Sequence, residues 1–179
     1  AVAQARKAYE LAPTSGFHQN HLVWTLYHNR RFDEAVELIR KADQSAPDFA
    51  HGNAVAGWVF RHLNEAEKSI RYSEKAHQLS PETGWITANL AASYAKFGEK
   101  EKAISLLQQI EAVKNQYVSP YCVAQAYLNL GDKKKTIELL EKSVADKDVW
   151  YPWIMSDAEL DSLHNEPRFI KLIGQINPA

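Results

Sequence analysis

The sequence predicts an all-α solenoid of antiparallel helix pairs that ends in a separate capping segment. A Lys-Ala pair followed by a proline recurs every 34 residues, in KAYELAP, KADQSAP and KAHQLSP. Helical apolar periodicity occurs on both sides of each of these prolines. Beyond residue 146 the period stops, and an aromatic-rich segment follows. Because a fixed period of about 20–50 residues is typical of stacked repeats, these observations together favour a solenoid.

The composition is that of an ordinary globular domain. The 179 residues are 45% hydrophobic and 24% charged, and the formal net charge is −1. This balance excludes a disordered chain and does not favour nucleic acid or an acidic membrane surface as a partner. Cys122 is the only cysteine of the sequence, which excludes an internal disulfide and a cysteine-rich zinc site. The longest apolar stretch, AVAGWVF, is too short to cross a bilayer, so no membrane insertion is expected.

The helix before each proline is predicted to be the second of a pair. These helices are AVAQARKAYELA, DEAVELIRKADQSA and EAEKSIRYSEKAHQLS. Proline ends each of them because it lacks an amide N–H and disfavours helical backbone in the residue before it. A polar turn follows each proline, and the first helix of the next pair then begins.

The first helices carry small and large apolar residues at helical spacing. Small residues let two helix backbones approach closely, and a large residue fills the space beside them. The sets are Leu22, Val23 and Leu26; Ala56, Gly57 and Phe60; Leu90, Ala91 and Tyr94; and Val123, Ala124 and Tyr127. Turns follow in HNRRFDEA, HLNEAEKS, KFGEKEKA and NLGDKKKT, so the repeating unit is helix, turn, helix.

This unit resembles the tetratricopeptide repeat family over roughly residues 1–146. In that family a small residue opens the second helix, an alanine follows seven residues later, and a proline follows five after that. The matching sets are Ala1, Ala8 and Pro13; Ala35, Ala42 and Pro47; and Ser69, Ala76 and Pro81. The next unit departs from the pattern, because Ile110 and Asn115 replace the alanine and the proline. The resemblance implies a right-handed superhelix whose concave inner surface is lined by the first helices.

The predicted organisation is one continuous domain. It divides into the second helix of a truncated repeat at 1–15, repeats at 16–49, 50–83 and 84–116, a divergent repeat at 117–148, and a C-terminal cap at 149–179. A solenoid needs an atypical terminal unit to cover its last exposed face. The cap is expected to contain an amphipathic helix around Glu166–Ile176. Its acidic residues Asp157, Glu159 and Asp161 are interpreted as turn and capping residues.

The first predicted helix lacks the other helix of its own unit. Ala1, Ala5 and Ala8 are therefore expected to face no neighbour from that unit. A half-repeat cannot bury its apolar face alone. We expect this helix to self-associate, to fray, or to be covered by sequence upstream.

Residues of the first helices that are not needed for packing should line the inner surface and form a groove for a partner. The candidates are Asn20, Trp24, Tyr27, His28, His51, Trp58, Arg61, His62, Trp85, Asn89, Lys96, Tyr121 and Gln125. Aromatic, arginine and histidine side chains supply rigid contact area with polar ends. The sequence therefore predicts a non-catalytic module that binds a peptide or a partner protein. In the alternative arrangement these aromatics pack internally, on neighbouring helices or beneath a C-terminal segment that folds into the groove.

Other function classes have less support in the sequence. His18, His21 and His28 share one predicted helix, but no carboxylate or thiol ligand accompanies them, so no metal or other cofactor is predicted. Phosphate-binding glycine loops and the HExxH and GxSxG motifs are absent from the sequence, so no catalytic residue is predicted. The tail is similar to tails that follow tetratricopeptide arrays in bacterial signalling proteins. The alternative function is therefore a regulatory or sensor domain attached to a catalytic or DNA-binding domain.

Overall fold

The computed structural model describes residues 1–113 and 117–176, which form α-helices and two short 3₁₀ helices. The α-helices are α1 (Val2–Leu11), α2 (Gly16–His28), α3 (Phe32–Ser45), α4 (Ala50–His62), α5 (Ala66–Leu79), α6 (Gly84–Lys96), α7 (Lys100–Ala112), α8 (Pro120–Asn129), α9 (Lys133–Ala145) and α10 (Pro167–Ile176). The 3₁₀ helices, Tyr151–Met155 and Ala158–Leu163, lie between α9 and α10. Consecutive helices pack on one another from α1 to α7, and α8 packs on α6 and α9. The first helices α2, α4, α6 and α8 also contact one another in order. The predicted all-α solenoid is confirmed.

Each repeat proline follows a helix end by two residues. The pairs are Leu11 and Pro13, Ser45 and Pro47, and Leu79 and Pro81. The residue between them has nearly the same backbone in all three copies, with φ of −146°, −146° and −150°. Proline disfavours helical backbone in the residue before it. The backbone angles at this position therefore recur with the same 34-residue period as the prolines. Asn115, which replaces the next proline, lies outside the described residues.

The turn inside each helix pair contains one residue with left-handed backbone. These residues are Arg30, Asn64, Gly98 and Gly131, with φ of 60°, 61°, 91° and 86°. Glycine adopts this conformation without a steric penalty, whereas arginine and asparagine are strained there by their Cβ. The four positions repeat at intervals of 34, 34 and 33 residues, so the turns follow the same period as the prolines.

The small residues predicted to lie between helices are needed for close approach. A Cβ atom at Gly57 of α4 would lie 2.2 Å from Ser73 Oγ and 3.2 Å from the carbonyl oxygen of Ser69, both on α5. Ala35 and Ala103 are fully buried at the start of other second helices. The packing of α4 on α5 therefore leaves no room for a side chain at residue 57.

Helix α1 packs against α2, which belongs to the following unit. Ala5 is buried, and Val2 and Tyr9 contact the main core. The helix that covers Ala5 is α2 of the following unit, so Ala5 is buried without a neighbour from its own unit. Leu11 at the end of α1 remains exposed. Self-association through α1 stays a prediction.

Residues 149–163, here called the closing segment, cross the inner face of the array after α9. Trp150 and Trp153 pack on Trp24 of α2, and the acidic residues further along bind α2, α4 and α8. Helix α10 then packs back against α9. Of the arrangements left open by the sequence, the structure adopts the one in which a C-terminal segment folds into the groove, and this segment covers the middle of the inner face.

Candidate functional site

The closing segment divides the inner face into three parts. Its acidic half covers a buried polar centre. On the side where α2, α4 and α6 begin, an open aromatic pocket remains. On the side where α4, α6 and α8 end, a polar cleft remains. The pocket and the cleft lie at opposite ends of the first helices, and the buried centre lies between them beneath the closing segment.

Arg61 of α4 is the cation of the buried centre and is completely inaccessible to solvent. Its Nε and Nη2 donate to the two carboxylate oxygens of Glu159 at 2.8 and 2.9 Å. The remaining donors reach the Asn89 side chain at 2.6 Å, Gln125 Oε1 at 3.0 Å and Ser93 Oγ at 3.3 Å. Every guanidinium nitrogen therefore has an acceptor, which is the condition under which a buried arginine is tolerated.

Asp157 is the second acid of the buried centre. Tyr27 Oη donates to its Oδ1 at 2.7 Å, while Tyr121 Oη and Gln125 Nε2 donate to its Oδ2 at 2.8 and 2.5 Å. The backbone N–H of Glu159 also donates to Oδ1 at 3.1 Å, so Asp157 caps the second 3₁₀ helix as its sequence context predicted. The same carboxylate thereby joins α2 and α8 to the closing segment.

Burial controls the ionisation of these groups. It raises the pKa of the Glu159 carboxyl, and the adjacent Arg61 opposes this effect. Burial acts most strongly on Arg61 and lowers its pKa, but the attraction and hydrogen bonds of Glu159 together with the electrostatic effects of Tyr27 and Asp157 raise the pKa overall. The pKa values of Tyr27 and Tyr121 are raised well above their usual range by burial and by the Asp157 carboxylate. Both tyrosines are therefore neutral hydrogen-bond donors at physiological pH.

An aromatic cluster adjoins the buried centre. The Trp24 ring lies 5.0 Å from Trp58, 5.2 Å from Trp150 and 5.8 Å from Trp153, each in an edge-to-face arrangement. His28 packs on Trp153 with ring centroids 4.6 Å apart, and its Nδ1 lies 2.9 Å from Ser156 Oγ. Burial lowers the pKa of His28 to about 4. The closing segment thus holds His28 in its neutral form.

The aromatic pocket encloses about 250 Å³ and opens to solvent. Its walls come from the beginnings of α2, α4 and α6 and from the aromatic half of the closing segment. The lining residues are Phe17, Asn20, His21, Trp24, His51, Val55, Trp85, Val149, Trp150 and Trp153. Phe17 is 66% exposed and Val149 is 78% exposed, so apolar surface continues from the pocket onto its rim. Partial burial lowers the pKa of His51, which favours its neutral imidazole.

The polar cleft encloses about 430 Å³ on the opposite side of the closing segment. His62, Lys96 and Asn129, the last residues of α4, α6 and α8, line it together with Lys133 and Glu159. No tryptophan occurs among these lining residues within the described chain. The two openings therefore differ in chemistry, one aromatic and the other cationic and polar.

The structure distributes the predicted groove residues among all three parts. Tyr27, Arg61, Asn89, Tyr121 and Gln125 lie in the buried centre, and His28 and Trp58 lie in the aromatic cluster beside it. Asn20, Trp24, His51 and Trp85 line the aromatic pocket. His62 and Lys96 line the polar cleft. Tyr27, His28, Trp58, Arg61, Asn89, Tyr121 and Gln125 are buried, so these seven cannot reach an outside partner while the closing segment is in place.

Sequence reasoning missed the main role of the closing segment. The sequence leaves open that the C-terminal segment folds into the groove, but it assigns Asp157 and Glu159 only to turns and helix capping and does not predict their contacts with Tyr27 and Arg61. A signal was present in Arg61, whose charge follows the apolar run AVAGWVF on α4 and requires a buried carboxylate. The sequence alone does not show which carboxylate supplies it.

Groups suited to other chemistry are sparse in the described residues. Cys122 is buried in α8, and burial raises the pKa of its thiol, which disfavours the nucleophilic thiolate. Within residues 1–113 and 117–176, no group of three or more His, Cys, Asp or Glu side chains is placed to hold a metal ion. In the same ranges no helix combines the length and the apolar character that a membrane span requires.

Comparisons with known proteins show the fold. No family model and no curated protein matches the sequence. The crystal structure of MamA is 17% identical with a TM-score of 0.56, over 83% of this chain and 87% of that one. A chain in the structure of Naa15/Naa10 bound to HypK-THB is 16% identical with a TM-score of 0.54, over 96% of this chain and only 28% of that one. Both are helical-repeat proteins of the tetratricopeptide type, so this chain has a tetratricopeptide-like fold.

Proposed function

We propose that this protein is a non-catalytic interaction scaffold and that it binds a peptide or a partner protein through the aromatic pocket. The observation that carries this proposal is the convergence of Trp24, Trp85, Trp150 and Trp153 on one solvent-open pocket. Indole rings are enriched at the energetic centres of protein interfaces, because they bury a large area with few rotatable bonds.

The exposure of the pocket rim supports the same proposal. Phe17 and Val149 project apolar surface into solvent on either side of the pocket. Contiguous exposed apolar surface on a chain with ordinary composition is typical of an interaction site. Asn20 contributes a side-chain oxygen that is buried and has no hydrogen-bond partner among the described residues.

The proposed site is narrower than the groove predicted from the sequence. Of the predicted groove residues, only Asn20, Trp24, His51 and Trp85 line the aromatic pocket, and these are the proposed partner contacts. The fold supports a scaffold, since stacked helix pairs display extended binding surfaces. The regulatory alternative, a domain attached to a catalytic or DNA-binding domain of a bacterial signalling protein, stays a prediction.

Selection from a displayed peptide library on the immobilised chain tests the proposal. Selected peptides should bind in solution, and Phe17→Ser and Trp85→Ala should each weaken them about tenfold, which corresponds to about 1.4 kcal/mol. Ile170→Ser is the control, because Ile170 is 56% exposed on α10 and does not line the pocket. A library without binders, or binders that respond equally to all three variants, would contradict the proposal.

A further inference from the structure

Cations of the chain lie over aromatic rings at several places outside the aromatic pocket. In the buried centre, Arg61 Cζ lies 5.2 Å from the ring centroid of Trp58. Aromatic rings attract cations because the face of the ring is negative. Four more pairs have their cation 4.5–6.0 Å from the ring: Lys68 and Phe60, Arg71 and Tyr72, Lys102 and Tyr94, and Lys135 and Tyr127.

The tryptophans of the aromatic pocket are not paired in this way. Trp24, Trp85, Trp150 and Trp153 line the pocket, and within the described chain no lysine or arginine lies over them. The described lining also contains no lysine or arginine that would repel a cation. Since indole is the aromatic group that attracts cations most strongly, the pocket concentrates the strongest sites of this kind, and the described chain supplies no cation for them.

The indole rings of the pocket form corners. Trp24 meets Trp150 at 78° with ring centroids 5.2 Å apart, and it meets Trp153 at 81° and 5.8 Å. Trp85 is tilted by 45° against Trp150 at 5.5 Å. Beside an edge-to-face contact, the corner is bounded by the faces of both rings. A rounded cation in such a corner contacts two indole faces, whereas a flat ring stacks on only one.

We infer that the aromatic pocket binds a quaternary ammonium group, which a partner protein presents as a trimethylated lysine. This inference rests on the proposed function and specifies the side chain that enters the pocket. The pocket encloses about 250 Å³ and opens to solvent, so the methylated end of the side chain can enter while the backbone of the partner stays outside. Phe17 and Val149 offer apolar contacts at the rim.

The lining distinguishes a methylated cation from an ordinary lysine. A primary ammonium has three N–H donors, and each needs an acceptor when the group leaves water. Among the described residues the lining has no carboxylate, and its polar side chains are those of Asn20, His21 and His51. A quaternary ammonium has no N–H to satisfy, and it keeps its attraction to the ring faces. The pocket should therefore favour trimethyllysine over lysine.

The helix starts beside the pocket act against a cation, because the first N–H groups of α2, α4 and α6 carry a partial positive charge. Asp48 and Glu82 lie two residues before α4 and α6 and reduce this effect, although Asp48 also pairs with Lys75. A desolvated cation over several indole rings gains more than one helix start removes. The polar cleft, which contains Lys96 and Lys133, opposes a cation without offering any tryptophan among its described lining residues.

Three capped peptides of one sequence test the inference, with trimethyllysine, lysine or a neutral tert-butyl isostere of trimethyllysine at the centre. The isostere keeps the shape of the methylated side chain and lacks its charge. Calorimetric titration of the intact chain should show trimethyllysine binding about tenfold more tightly than either of the others. The methyl proton signals of the bound trimethyllysine should move upfield, because the methyl groups lie over indole faces. Equal affinity of the isostere would overturn the inference.

Two pairs of variants locate the binding. Trp85→Phe keeps an aromatic face and should retain most of the affinity for the trimethyllysine peptide, whereas Trp85→Leu should lose about tenfold. His21→Glu adds a carboxylate to the lining at an exposed position and should strengthen binding, while Gln78→Glu, exposed on α5 outside the pocket, should leave it unchanged. Circular dichroism checks that each variant is folded. Equal effects within either pair would overturn the inference.

Choline distinguishes the source of the ammonium group and separates the inference from the proposed function. The trimethyllysine peptide should bind more tightly than choline, because residues beside the lysine contact the rim. If choline binds while no peptide binds and the displayed library yields no binder, the quaternary ammonium site stands and the proposed partner protein is wrong. If the library yields binders that depend on Trp85 but trimethyllysine is not preferred over lysine, the inference is wrong and the proposed function stands.

Discussion

The buried centre with its aromatic cluster and the two openings beside it lie on the inner faces of the first helices, yet the centre is closed and the aromatic pocket and polar cleft are open. His28 and His62 occupy equivalent positions one repeat apart, and Trp24 and Trp58 do likewise. His28 is buried beneath Trp153, whereas His62 is half-exposed in the polar cleft. The difference lies in the closing segment. Residues at equivalent positions of two repeats therefore lie on the same inner face, but one can be buried while the other is exposed to a partner.

The largest expected effect is that of breaking the buried ion pair. Arg61→Met leaves Glu159 buried without its cation, which should lower the free energy of unfolding by about 3–5 kcal/mol. Denaturant unfolding measures this change. In the double variant Arg61→Met with Glu159→Leu, much of the loss should be recovered, because residue 159 no longer carries a buried charge and Asp157 keeps its hydrogen bonds from Tyr27, Tyr121 and Gln125. An Arg61→Met protein within about 1 kcal/mol of the parent would show that the closing segment contributes little to stability.

The next effect is a pH dependence that arises in the aromatic cluster. The pKa of His28 is about 4 in the folded chain and about 6.5 when unfolded, so below pH 6.5 the unfolded state binds more protons. The contribution of neutral His28 to the free energy of unfolding should be fully present above about pH 6.5. The free energy of unfolding should fall by up to about 3 kcal/mol as the pH decreases to 4. Asp157 favours the protonated form and Arg30 opposes it, but burial dominates.

Denaturant melts at several pH values test this dependence. His28→Gln should flatten the curve between pH 6.5 and 4, while His164→Gln, at an exposed position, should leave it unchanged. If both variants keep the slope of the parent chain, the loss of stability comes from groups other than His28.

Tryptophan truncation compares the two regions directly. Trp85 is half-buried at the pocket, so Trp85→Ala should lower stability by only about 1–2 kcal/mol while weakening peptide binding. Trp58 is buried in the cluster, and Trp58→Ala should cost about 3–5 kcal/mol. Calorimetric melts and peptide titrations of both variants measure the contrast. Equal losses of stability would mean that the pocket is part of the core.

The smallest effect is expected at the edge of the closing segment. Arg30 donates to both carboxylate oxygens of Asp161 at 2.7 and 2.8 Å, as Arg61 does to Glu159, but the two side chains are 43% and 49% exposed. Arg30→Ala should therefore cost less than about 1 kcal/mol, and less still in high salt. Unfolding at two salt concentrations checks this. If Arg30→Ala lowered the free energy of unfolding as much as Arg61→Met, burial would not explain the difference between the two ion pairs.

Local features of the fold could be predicted from the sequence because they depend on neighbouring residues. Pro13, Pro47 and Pro81 end helices by removing a donor and restricting the residue before them, whatever lies around them. Helix α10 begins within one residue of the predicted helix, since its apolar stripe, including the buried Phe169 and Leu172, lies in one short segment.

The path of the closing segment could not be predicted in this way. Arg61 and Glu159 are 98 residues apart in the chain, and no local pattern specifies that they meet. Aromatic residues at Trp24 and Trp58 are compatible with an open groove or with a filled one, because the apolar area to be covered is the same in both. The aromatic pocket lies on helices that the sequence assigns to the groove, and which of their residues are accessible became visible only in the structure.

The hydrogen bond between Tyr27 and Asp157 joins residues that are 130 positions apart in the sequence, so it can form only after most of the chain has been synthesised. Helical repeats fold through contacts with their neighbours, and a chain grows from its N-terminus during synthesis. The first repeats can therefore form on the ribosome while their inner face, with Trp24, Trp58 and Arg61, still lacks its cover. That face becomes covered only after residues 149–163 leave the ribosomal tunnel. Translation that stops before this point would release a largely helical chain whose most apolar surface is exposed to chaperones and to other copies of itself.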